Sequence, residues 1–141
     1  MKPLAVLDSS TVVSALGWDG EARRLLSLLA KRAFISCTTV ALSEEWAEAV
    51  ATTAALPKWR NPNWANWLQW LTEASRLVEA VPLRRTVKRD PQDDPVLAAA
   101  LGARAGYLVS YDRDLLDLEQ PFGVRCVHPR AFIVALVSTV A

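Results

Sequence analysis

The feature that most constrains this chain is an alternation of short apolar runs with longer segments of helical periodicity. The apolar runs are Leu4–Leu7, Ala33–Ser36, part of Leu77–Leu83, Tyr107–Ser110 and Val124–Val127. The helical segments cover about 20–32, 39–55, 63–76, 94–105 and 129–140, and a further one, Val12–Leu16, follows the first run. Strand-like and helix-like stretches in turn predict an α/β layer fold with a mainly parallel sheet. At 141 residues the chain is long enough for one compact domain with its own core, spanning 1–141. The irregular stretch "LPKWRNPN" at 56–63 divides two helices, because Pro57 and Pro62 cannot continue one.

Composition narrows the class. With 52% apolar and 22% charged residues the chain does not read as disordered. Charges or prolines interrupt every apolar stretch before it reaches membrane-spanning length. A single lysine and the short run Leu4–Leu7 precede Asp8, too little for a signal peptide. Cys37 and Cys126 lie far apart, and His128 is the one histidine, so no zinc spacing occurs and a reduced, cytoplasmic protein is expected. The five glycines are scattered, without a phosphate-binding loop.

Acids fall where strands should end. Asp8 closes the first run in "AVLDSSTVV", and Asp112 follows the run Tyr107–Ser110 in "GYLVSYDRDLL". Asp90, Asp93 and Asp94 stand in "RDPQDDPVLAAAL" at a helix entry, and Glu44, Glu45 and Glu48 lie on the helix after the second run. In a parallel sheet the crevice outside the carboxyl ends of the strands collects ligands. Any one of these acids could be a helix cap or a solvated surface charge. Carboxylates converging on one crevice repel one another and call for a cation, and an all-oxygen donor set suits Mg²⁺ or Mn²⁺.

Taken in order, "VLDSSTVVSALGWDGEARRLL", "SEEWAEAV", "RDPQDDPVLAAALGARAGYLVSYDRDLL" and "VHPRAFI" resemble PIN-domain proteins, specifically the bacterial toxin components of toxin–antitoxin pairs. The likeness covers nearly the whole chain and is weakest between about 52 and 80. It implies a three-layer α/β/α PIN-like fold and a metal-dependent ribonuclease. Position by position, the family's acids fall on Asp8, Glu45, Asp93 (with Asp94 as close rival) and Asp112. Of these, Asp8, Asp93, Asp94 and Asp112 are the metal-ligand candidates, for Mg²⁺ or Mn²⁺. Ser10 stands where asparagine is frequent and Ser110 where threonine is, and Ser10 could orient water or phosphate. The resemblance also implies an RNA substrate, an antitoxin partner and self-association into a homodimer.

Charge and aromatic distribution add to this. Net charge is +1, yet residues 58–89 carry seven basic and two acidic side chains, whereas 90–141 carry four and seven. Arg84, Arg85, Lys88 and Arg89 run directly into the acids and could clamp an RNA backbone, or simply be a solvated connector. Trp64, Trp67 and Trp70 recur every third residue, which reads as one helix face, for core packing first and an interface or base stacking after that. His128 before Pro129 reads as a cap or an exposed residue. A phosphatase of the haloacid dehalogenase type would need an aspartate where Ser10 stands, and a receiver domain would need a lysine after Lys88. The rival that survives is a catalytically silent PIN-fold module that binds RNA or protein.

Overall fold

In the computed structural model, which describes residues 2–81 and 94–138 (Asp94 by its backbone), five strands form one parallel sheet. They are β1 (Leu4–Leu7), β2 (Ile35–Thr38), β3 (Arg76–Leu77), β4 (Tyr107–Val109) and β5 (Arg125–Val127), in the order β3-β2-β1-β4-β5. Register follows Ala5 opposite both Ser36 and Tyr107. The helices are α1 (Ser9–Gly17), α2 (Glu21–Ala30), α3 (Val40–Ala54), α4 (Trp64–Ala74), α5 (Asp94–Ala103), α6 (Arg113–Leu116) and α7 (Pro129–Ser138). α5 lies on β1, β2 and β4, while α7 rests on β4 and packs against α2, giving a three-layer α/β/α arrangement.

The central strands are apolar without alternation because both of their faces are covered. Ala5, Val6, Leu108 and Val109 are all fully buried, and the core continues into Phe34, Trp46 and Phe132. Among the described residues no helix is long and apolar enough to cross a membrane.

Two sequence expectations shift. The second strand begins at Ile35 rather than Ala33, because α2 unwinds through Arg32 in the left-handed region (φ 62°) and the Ala33 N–H donates to the Leu28 carbonyl. The third is a two-residue edge strand at Arg76–Leu77; of the stretch expected up to Leu83, residues 78–81 are not strand and 82–83 lie outside the described residues. The tryptophan stripe also reads differently. Three residues turn a helix by about 300°, so each tryptophan falls about 60° behind the last. Trp64 and Trp67 are half-buried and Trp70 is exposed, whereas the fully buried tryptophan is Trp46 on α3.

Close backbone packing fixes α5. A Cβ at Gly102 would overlap the carbonyl of Glu79, on the segment that leaves β3, and the Val81 N–H donates to the Ala98 carbonyl alongside. Gly102→Ala is expected to destabilise the domain by about 1–3 kcal/mol, read as a lowered denaturation midpoint.

Candidate active site at the carboxyl ends of the strands

The order β3-β2-β1-β4-β5 reverses direction between β1 and β4. At such a switch point the connections leave to opposite sides and a crevice opens beyond the strand ends. Asp8 sits there, at the end of β1 and the start of α1, with only 9% of its surface exposed. Its main chain joins both elements: the N–H donates to the Val109 carbonyl, and the carbonyl accepts from the Thr11 and Val12 N–H groups.

The Asp8 side chain makes no capping bond to α1. Instead Oδ2 accepts the Ser110 hydroxyl at 2.7 Å and the Ser10 hydroxyl at 3.0 Å. Each hydroxyl in turn accepts a backbone N–H from the segment leaving β4, Ser10 from Tyr111 at 3.1 Å and Ser110 from Asp112 at 2.8 Å. All donors in this relay point toward one carboxylate. A buried carboxylate bonded twice on one oxygen is held in one geometry. Among the described residues both side-chain bonds to Asp8 fall on Oδ2, which leaves Oδ1 available as an acceptor.

Glu45 on α3 is half-buried and accepts the Ser9 hydroxyl at 2.7 Å, so it stands against the first turn of α1, one residue from Asp8. Glu44 is exposed and lines a groove between α3 and α4 instead. Asp112 enters the same end of the sheet, yet its Oδ1 accepts the Asp114 N–H at 2.9 Å and thereby caps the four-residue α6. Among the described residues no three acidic, imidazole or thiol groups come together tightly enough to hold an ion. Asp90, Asp93, Arg84, Arg85, Lys88, Arg89 and the Asp94 side chain lie outside the described residues; the backbone of α5 starts at Asp94 with Pro95 in its first turn.

Sequence reading missed Ser9 as the partner of Glu45, and it missed a second network beside the first. The Tyr111 hydroxyl donates to Glu21 at 3.3 Å, Arg130 donates to the other oxygen of Glu21 at 3.1 Å, and the Tyr111 and His128 rings meet edge-on at 4.8 Å. His128 does cap: its Nδ1 accepts the Arg130 N–H at 3.1 Å. Burial, reinforced by the neighbouring Glu21 charge and its hydrogen bond, pushes the Tyr111 phenol up to about 12, with Arg130 opposing. The folded state therefore holds this proton more tightly than the unfolded chain. The stability it adds is full below pH 10.0, the ordinary phenol value, and is lost as pH rises through about 12. Ultraviolet titration should show one of the two tyrosines ionising late, and Glu21→Gln should bring that phase to lower pH.

A family model described as PIN domain matches residues 5–114, from within β1 into the start of α6. This chain belongs to the PIN-domain family. PIN domains are commonly nucleases and typically use divalent metals. Among solved structures, PAE2754 from Pyrobaculum aerophilum superposes with a TM-score of 0.65 at 17% identity, over 96% of this chain and 90% of that one. At that identity the likeness speaks to the fold, and it agrees with the layers described above. No curated protein matches the chain. The match to the PIN family includes Asp8, Glu45, Asp93, Asp94 and Asp112, and stops short of β5 and α7.

Proposed function

We propose that this PIN domain is a metal-dependent endoribonuclease, working in the cytoplasm as the toxin of a toxin–antitoxin pair. The observation that carries the reading is Asp8: a carboxylate nine-tenths buried at the switch point, bonded by two hydroxyls on Oδ2 and, among the described residues, by none on Oδ1. A structural cap would accept a backbone N–H of its own helix, and this carboxylate takes only a hydroxyl from it. The donor set is all oxygen, which fits Mg²⁺ or Mn²⁺ and not a softer ion.

Asp8, Asp112 and Asp93, with Asp94 as alternate, would hold the metal, and Glu45 would complete the set or fix a water. When bound, the ion would supply an activated water and stabilise charge on the phosphate. The chain's own residues do the positioning. Ser10 and Ser110 fix the Asp8 carboxylate, and Ser110 ties it to the backbone of Asp112. Ser9 fixes Glu45 against α1. Arg84, Arg85, Lys88 and Arg89 would take RNA phosphates, and an antitoxin and a second copy of the chain are the expected protein partners.

The capping bond of Asp112 favours a second reading, a silent PIN-fold module that binds RNA or protein without cutting. Incubation of a labelled single-stranded RNA with the purified chain decides between them. Cleavage in Mn²⁺ that stops in EDTA is expected, and intact RNA in both would establish the silent module. Growth arrest on expression, relieved by Asp8→Asn, tests the toxin role separately.

A further inference from the structure

The crevice does not end at β4. β5 lies next to it, and the carboxyl end of β5 delivers His128 beside Tyr111 just as the end of β4 delivers Tyr111 beside Ser10. Beyond His128 the surface opens into a groove of about 640 Å³ lined by Glu21, His128, Arg130, Ala131 and Val134. We infer that His128 and Arg130, set in place by Glu21 and Tyr111, form a subsite for a neighbouring nucleotide of the single-stranded RNA that enters the Asp8 crevice. This rests on the ribonuclease reading given above.

Three observations carry it. First, the imidazole is 40% exposed and yet fixed: Nδ1 accepts the Arg130 N–H, Tyr111 meets the ring edge-on, and Nε2 lies 3.8 Å from Glu21. An aromatic ring already held in place costs little further ordering when a base stacks on it. Second, Arg130 is 79% exposed and is oriented through Nε alone, by Glu21 at 3.1 Å. Among the described residues nothing bonds its terminal nitrogens, so the planar fork that suits a phosphate is free. A pair this exposed does little for stability. Third, the subsite is coupled to the crevice: the Tyr111 hydroxyl bonds Glu21 while its N–H bonds the Ser10 hydroxyl that holds Asp8. Tyr111 and Glu21 lie within the stretch matched by the family model, and His128 and Arg130 lie beyond it.

The test uses two variants of the full chain. His128→Asn keeps an acceptor for the Arg130 N–H, and so the cap, but removes the ring. Arg130→Gln removes the fork from an exposed position. Each is compared with wild type by anisotropy of fluorescein-labelled oligouridylate and oligoadenylate of about eight nucleotides in EDTA, with melting temperature as control and cleavage in Mn²⁺ measured in parallel. His128→Asn is expected to bind both about tenfold more weakly. Arg130→Gln is expected to bind more weakly and to flatten the slope of log affinity against log salt by about 0.7. Wild-type affinity and slope in both variants, from an enzyme that still cleaves, would remove the subsite and leave the nuclease standing. A wild-type chain that neither binds nor cuts RNA would remove both. Binding that weakens as described without any cleavage would keep the subsite and overturn the nuclease.

Discussion

Asp8→Asn should lose more than about a hundredfold of metal-dependent RNA cleavage while melting at or above the wild-type temperature. The two effects separate because Asp8 is a poor structural investment. It is 9% exposed, makes no side-chain cap to α1, and carries a charge whose burial is costly. Asparagine keeps one oxygen for the Ser10 and Ser110 hydroxyls, so the relay from Tyr111 and Asp112 survives. What it removes is the negative charge at Oδ1, the atom that would meet a divalent ion. Calorimetric titration with Mn²⁺ should accordingly show weaker binding in the variant. A variant that melts lower and still cuts at the wild-type rate would show that Asp8 serves the fold and not the reaction.

How far the sequence disclosed this arrangement depends on range. The central strands were legible because a strand covered on both faces must be apolar throughout, and Leu4–Leu7 and Tyr107–Val109 are. The position of Asp8 followed at once, since a polar residue closing such a run has to lie at the sheet's rim. The bonds that orient it were not legible. Ser110 reaches Asp8 across 102 positions and Ser9 reaches Glu45 across 36, and nothing local in "DSS" or "VSYD" specifies those pairings. The second strand came two residues late because the left-handed turn at Arg32 uses a residue type that gives no sign of it. The tryptophans misled for a geometric reason. A spacing of three looks like a stripe and is a slow spiral, so Trp70 turns outward while Leu71 is fully buried. His128 was read as a cap, which it is, but its neighbours Glu21 and Arg130 come from α2 and α7 and meet only in the folded chain.

Trp46 is the point where stability and site geometry meet, and Trp46→Ala is expected to cost about 3–5 kcal/mol. The side chain is fully buried, and its indole N–H donates to the Leu7 carbonyl at 2.9 Å. Against a total stability of about 5–15 kcal/mol, that loss leaves a domain on the edge of unfolding, measurable as a large drop in the denaturation midpoint. Trp46→Phe separates the two contributions. It keeps most of the apolar volume and deletes the hydrogen bond, for about 1–3 kcal/mol. The bond ties α3 to the last residue of β1, so its two ends lie one residue from Glu45 and one from Asp8. Without it those carboxylates are positioned by separate elements, joined through Ser9 and the packing of α1 on α3. Misplacement by a fraction of an ångström matters in a preorganised site, so the Phe variant should cleave RNA about tenfold more slowly at temperatures where it remains folded. Equal rates there would mean that Ser9 and the packing of α1 on α3 already fix Glu45, and that Trp46 serves the core alone.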